Sequence, residues 1–169
     1  MSDESKRVGK ALLEPFPPDT IGWKPQSVKG NRALAVAYIS ARDVMDRLDA
    51  VVGVGGWSDH YEVRESGAVM CHLRVKVDGE WVEKCDIGSP SEQPDAGDSL
   101  KAAVSDALKR AAVKYGIGRY LYNLPMVWCD YDPVKKQFVD TPKLPDWAIP
   151  KVLATAQQVY QLEGLIADA

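Results

Sequence analysis

The 169 residues, 46% hydrophobic and 27% charged, supply enough apolar material for one sizeable core and fit one domain with a modest extension. No apolar run approaches the ~20 residues that span a bilayer, and the polar start Met1-Ser2-Asp3-Glu4-Ser5-Lys6-Arg7 lacks the apolar stretch of a secretory signal. The formal net charge of −3 counts, taken alone, against a nucleic-acid partner; Cys71, Cys85 and Cys129, odd in number and without C-x-x-C spacing, point to a reducing compartment and away from a closed zinc site.

In chain order, residues 1–19 read as a polar lead-in that ends in Pro15-Phe16-Pro17-Pro18. Residues 20–39 read as a hairpin turning at Gly30-Asn31, with Pro25 confined to an edge or a bulge because it has no N–H to give a ladder. Ser40, with Asp43 three residues on, caps a helix whose Ala41, Val44, Met45, Leu48, Val51 and Val52 recur on one face, and Gly53 ends it.

Three strands are expected next. Trp57, Tyr61 and Val63 share one face of the first. In the second, Val69, Cys71, Leu73, Val75 and Val77 alternate with Met70, His72, Arg74 and Lys76. Asp78-Gly79 is a strong hairpin turn, and the third strand is expected to point Trp81, Cys85 and Ile87 inward. The product is an antiparallel meander with one buried face. Residues 88–98 form a loop by composition. Asp98 or Ser99 then caps a long helix to about Tyr115, with Leu100, Ala103, Val104, Ala107, Leu108, Ala111 and Tyr115 on its apolar side. That helix is expected to cover the meander. Further on, residues 126–131 and 137–139 are candidates to pair across Asp132-Pro133, and the chain reads as helical from Asp146 onward. The fold class is therefore α+β: a core running β-β-α-β-β-β-α, a three-stranded meander packed on a long helix, and an N-terminal hairpin. Residues 20–147 form the domain and 148–169 a C-terminal helical extension.

Catalytic groupings are sparse. His60 and His72 lie on the polar side of adjacent strands and read as surface histidines. There is no G-x-S-x-G elbow and no Walker loop, and Gly116-Ile117-Gly118 follows a helix rather than opening one. Glu83 and Asp86 fall on opposite faces of a strand, which argues against a metal nuclease. No catalytic residue, metal or cofactor is expected, and the chain reads as a non-enzyme.

The long helix is more informative. Between Lys101 and Arg119 the basic residues Lys101, Lys109, Arg110, Lys114 and Arg119 face one acid, Asp106, for a local net charge of +4. Asp106, Arg110 and Lys114 stack at i, i+4 and i+8, and Lys101, Ser105 and Lys109 form a parallel row. Cationic rows suit the regular charges of a phosphate backbone, and the adjoining Tyr115, Tyr120 and Tyr122 suit base stacking or core packing. The hairpin contributes a second basic group, Lys24, Lys29 and Arg32, with Trp23 and Tyr38.

Residues 103–122, AVSDALKRAAVKYGIGRYLY, carry the pattern A-V-[ST]-D-x-L-K-R-A-x-x-x-[FY]-G and resemble the Rad52/Rad22 single-strand annealing family, especially its bacterial DNA-damage-response branch and phage annealing proteins. The resemblance runs from about Phe16 to Trp147. It implies a side-by-side ring of about ten or more subunits with a basic groove that holds one DNA strand, bases outward, for ATP-independent annealing in repair and recombination. It carries DNA-binding roles to Lys109 and Arg110, to Lys24 and to Tyr38, while a further family arginine falls at Val113. With Lys101, Lys114 and Arg119, these are the expected DNA-binding residues. Single-stranded DNA, further copies of the chain and other repair proteins are the expected partners. No membrane is involved: the expected setting is cytoplasmic, nucleoid-associated, bacterial or phage. Protection or recruitment at DNA 3′ ends without annealing is the alternative.

Overall fold

The computed structural model describes residues 1–92 and 95–151 as a mixed α+β fold of three helices and two antiparallel sheets. In chain order the elements are α1 (Asp3–Leu13), β1 (Gly22–Lys29), β2 (Arg32–Tyr38), α2 (Ala41–Val52), β3 (Trp57–Val63), β4 (Val69–Val77), β5 (Glu80–Gly88), α3 (Ala96–Val113), β6 (Val127–Asp132) and β7 (Gln137–Phe138). One sheet has the order β3-β4-β5 and the other β1-β2-β6-β7. No helix among the described residues is long and apolar enough to cross a membrane.

The residues read as a lead-in hold a helix. Ser2 caps α1 by accepting the Ser5 N–H at 2.9 Å, Asp3 and Glu4 complement the helix N-terminus, and Val8 and Leu12, one turn apart, are buried. Arg47 on α2 closes the other end. Its guanidinium donates to the Glu14 carbonyl at 2.6 Å and the Ala11 carbonyl at 3.2 Å, and it stacks on Phe16 at 4.0 Å. Burial pushes its pKa below the usual arginine value, opposed by Tyr120 and Glu14.

The hairpin β1–β2 turns at Gly30, where φ is +58°. Its ladder slips between Pro25 and Ser27, leaving Gln26 as an extra residue in a bulge, and β1 is an edge strand as proline requires. β2 also pairs with β6, which pairs with β7 across the turn at Asp132. On α2 the capping box is present: the Asp43 N–H reaches Ser40 Oγ at 3.2 Å, and the Ser40 N–H reaches the Asp43 carboxylate at 2.6 Å.

Asp78 and Gly79 both have positive φ, as a two-residue type I′ turn demands, and this turn fixes the register of β4 and β5. Val75 faces Val82, Leu73 faces Lys84, Cys71 faces Asp86 and Val69 faces Gly88. Residues directly opposite share a face. The covered face of β5 therefore carries Val82, Lys84, Asp86 and Gly88, and Trp81, Cys85 and Ile87 lie on the other; Trp81 and Ile87 are exposed. The inward assignment of those three is corrected by the turn register, which outranks the apolar alternation of one strand. Val63, at the end of β3, is exposed as well.

Asp95 caps α3 by accepting the Asp98 N–H at 2.9 Å, so the helix starts before the expected Asp98 or Ser99. Its small residues permit close approach: a Cβ on Gly88 would meet the Ala103 carbonyl at 2.2 Å and the Ala107 amide at 2.4 Å. Ala103, Ala107, Leu108, Ala111 and Ala112 are buried with Val69, Cys71, Leu73 and Val75 of β4 and with Val44 and Leu48 of α2. The Tyr115 hydroxyl lies 2.7 Å from the Leu73 carbonyl and 2.8 Å from the Val82 carbonyl. Residues 119–123 and 146–148 form 3-10 turns, and Ile149 is already extended, so no helix runs on from Asp146 as expected; beyond residue 151 the rest of the expected C-terminal helix lies outside the described residues.

Candidate nucleic-acid interface

A groove runs between the β1–β2 hairpin and α3, continued by the chain after the helix. Trp23, Lys24, Gln26 and residues 35–39 form one wall; Asp106, Lys109, Arg110 and Val113 form the other; Leu121, Tyr122 and Met126 extend it.

The hairpin wall is built by its register. Lys24 stands opposite Val36 and Gly22 opposite Tyr38, so Lys24 and Tyr38 share a face. The Lys24 ammonium lies 5.8 Å from the Tyr38 ring centroid. The ring lies across the backbone of β1 at Gly22, where a Cβ would come within 2.5 Å of it. The bulge adds Gln26 to the lining.

On the helix wall Lys109 is half-buried and makes no salt bridge among the described residues. Burial first, then the charge of Lys24 across the groove, pulls its pKa below the ordinary lysine value, against the opposing pull of Asp106. Asp106 is partly engaged elsewhere, accepting the Ser89 N–H at 3.2 Å. Arg110 lines the groove and also holds Asp86 at 3.3 Å. Burial disfavours the Asp86 carboxylate, but the Ile87 N–H, Arg110 and Lys114 outweigh it and hold the pKa below the usual aspartate value.

The seven expected binding residues therefore divide. Lys24, Tyr38, Lys109 and Arg110 meet in the groove. Lys101, Lys114 and Arg119 are not among its lining residues. Lys101 pairs with Asp98 at 3.2 Å in the first turn of α3. Lys114 lies 3.5 Å from Asp86 and donates to the Cys85 carbonyl. Arg119 donates to the Val113 and Lys114 carbonyls, both at 2.8 Å, and so closes the helix C-terminus. Val113, where the resembled family carries an arginine, lines the groove.

Of the aromatics named beside the two basic groups, Trp23 and Tyr122 line the groove, and Tyr115 and Tyr120 do not; sequence reading passed over Gln26 and Met126, and Tyr122 and Met126 are largely exposed, at 71% and 65%. It also passed over Asp86 as the countercharge of Arg110 and Lys114. The turn register would have supplied Asp86, since it puts that residue beside Gly88 under α3. His60 is exposed, as expected of a surface histidine, but His72 needs correction: it is half-buried, and its Nδ1 lies 3.2 Å from both Cys85 Sγ and Glu83 Oε1.

A sequence model described as Rad52/22 family double-strand break repair protein matches residues 4–137, a span that includes α1. Two proteins named single-stranded DNA-binding protein DdrA are similar to the chain. That of Deinococcus radiodurans is 44% identical over 145 residues, 85% of this chain and 68% of the relative. That of Deinococcus deserti is 45% identical over 145 residues, 85% of this chain and 70% of the relative.

Proposed function

The chain belongs to the Rad52/22 family of double-strand break repair proteins, and from that premise we propose that it binds single-stranded DNA in the groove between the β1–β2 hairpin and α3 and anneals complementary strands without ATP. One observation carries the assignment to this groove: Lys109, a half-buried cation without a salt bridge among the described residues, faces Lys24 across a cleft edged by Tyr38, Trp23 and Tyr122. Cations spaced along a cleft suit phosphates, and the rings beside them suit bases. The names of the two Deinococcus relatives support the same ligand.

In this reading Lys109, Lys24 and Arg110 hold the sugar-phosphate chain, and Arg110 exchanges its Asp86 partner for a phosphate. Tyr38 and Tyr122 steady the first bases, and the remaining base edges stay open for pairing. Lys101, Lys114 and Arg119 raise the surrounding positive potential. No bond is made or broken, and the role in repair is that of a binding module rather than an enzyme. Copies of the chain join side by side into a ring through the free edges of β3 and β5, which present unpaired backbone groups among the described residues.

The test pairs two assays on the full chain. Lys109→Ala with Arg110→Ala should lose acceleration of pairing between complementary oligonucleotides while keeping the wild-type sedimentation profile. Normal pairing by the double variant would overturn the groove assignment. Wild-type protection of 3′ ends from an exonuclease with no acceleration of pairing would overturn annealing and leave end protection as the function.

A further inference from the structure

The face of the β3-β4-β5 sheet away from α3 carries a second group of side chains that the groove does not use. The hairpin register sets His72 directly opposite Cys85 on β5. His72 Nδ1 lies 3.2 Å from Cys85 Sγ and 3.2 Å from Glu83 Oε1, and Cys85 Sγ lies 3.5 Å from the same oxygen. At ordinary bond lengths a tetrahedral zinc ion holds nitrogen, sulfur and oxygen donors about 3.3–3.6 Å from one another. The three donor atoms thus form a triangle close to one face of such a tetrahedron before any ion is present.

We propose that His72, Glu83 and Cys85 form a binding site for a zinc-class divalent ion, with a fourth position open to solvent. The imidazole is set up for it. Its Nε2 is buried without an aligned hydrogen bond, and the nearest charge is Glu62 Oε1 at 3.3 Å. A ligating histidine commonly turns its remaining N–H to a carboxylate, which fixes the tautomer. With the proton on Nε2 toward Glu62, Nδ1 offers its lone pair on the side of Cys85 and Glu83.

The position of Glu83 is informative as well. Its cross-strand neighbour is Arg74, the obvious ion-pair partner. Yet the Arg74 guanidinium stacks on Trp81 at 5.3 Å and reaches Ser58 Oγ at 3.4 Å, and the Glu83 carboxylate turns to His72 and Cys85. One thiolate, one imidazole and one carboxylate favour a borderline-soft ion over magnesium or calcium, which take oxygen donors. On binding, the Cys85 thiol releases its proton to solvent and the sulfur–metal bond forms in its place.

The experiment uses the full chain, reduced, stripped with chelator and desalted, and titrated with Zn²⁺ by calorimetry and with Co²⁺ by absorption. The expected result is one ion per chain and a Co²⁺ spectrum with thiolate charge-transfer in the near ultraviolet and four-coordinate bands in the visible. Cys85→Ser should remove the charge-transfer band, with unchanged circular dichroism. Glu62→Gln should keep the band and weaken Zn²⁺ by about 10-fold or more, as loss of a carboxylate behind a ligating histidine does. Cys129→Ser should change neither. Absence of a one-to-one ion in the wild type, or a Cys85→Ser variant that binds as tightly as the wild type, would overturn the site and leave a hydrogen-bonded cluster. Both readouts need no DNA, so failure here and failure of the annealing assay are separate results.

Discussion

Removing the Lys109 charge should lower the salt sensitivity of single-strand binding by a countable amount. Each phosphate contact to a single strand adds about 0.7 to the slope of log affinity against log salt. Lys109→Ala deletes one contact and should lower the slope by about 0.7, equivalent to about fourfold weaker binding at ~0.15 M salt, referred to ~1 M. Arg110 is not free in the same way. It holds Asp86 at 3.3 Å, and taking a phosphate means giving up that pair. The double variant should therefore lose more than 0.7 and less than about 1.4 in slope. Asp86→Asn supplies the opposite sign, because it releases Arg110 and Lys114 and removes a nearby negative charge. Its binding should be tighter than wild type at low salt. Fluorescence anisotropy of a labelled oligonucleotide across a salt series measures all three. A Lys109→Ala slope equal to wild type, in a variant whose circular dichroism is unchanged, would refute the phosphate role. Weaker binding by Asp86→Asn would refute the countercharge argument.

The lowered pKa of Lys109 gives a pH signature. A bound phosphate favours the charged form, so binding takes up a proton between the depressed value and the ordinary one, and affinity falls as pH rises through that window. Lys109→Arg, which does not titrate there, should flatten the fall measured by the same anisotropy. Gly88→Ala sets a Cβ against the backbone of α3 on two sides and should lower stability by about 1–3 kcal/mol in thermal or urea unfolding; wild-type stability would mean that α3 is not seated on β5. Arg47→Met keeps the stem but abandons the Glu14 and Ala11 carbonyls, at a cost of about 2–3 kcal/mol. Arg47→Lys should rescue little, because a lysine cannot fork to the carbonyls and lie flat on Phe16 together; full rescue in urea unfolding would remove geometry as the reason.

Much of the fold was legible because local chemistry and global structure agree. Gly30-Asn31, Ser40 with Asp43, and Asp78-Gly79 each specify a turn or cap by residue type, and each stands where its chemistry puts it. Helix α1 was hidden by Pro15-Phe16-Pro17-Pro18 and by a polar opening, although Ser2 as a cap and Val8 and Leu12 at i, i+4 were available signals. The faces of β5 were misread because Trp81 and Ile87 are apolar and Lys84 and Asp86 are charged. Covered charges are not anomalous there: Lys84 lies over Tyr115 at 5.0 Å and donates to the Lys114 carbonyl at 2.8 Å, and Asp86 meets two cations.

The groove was legible only in part. Lys109 and Arg110 could be named because they sit in a long and specific pattern, and Lys24 and Tyr38 only through the resemblance of the hairpin. Lys114 and Arg119 belong to the same run of charge, yet the chain uses their donors on its own carbonyls, Lys114 on Cys85 of β5 and Arg119 at the end of α3. A count of positive charges cannot separate a cation that waits for a ligand from one that finishes a helix. That distinction needs the path of the backbone after Gly116, where φ is +104°.

The interrupted ladder of β1 also bears on how the protein avoids pairing with copies of itself. An outermost strand invites an identical strand from a neighbouring copy, and unchecked addition of that kind builds fibrils. Pro25 withholds one amide and the extra residue at Gln26 breaks the repeat, so an incoming strand would lose register within a few residues. The rim of the cleft is thereby a poor template for a twin strand, however crowded the copies are.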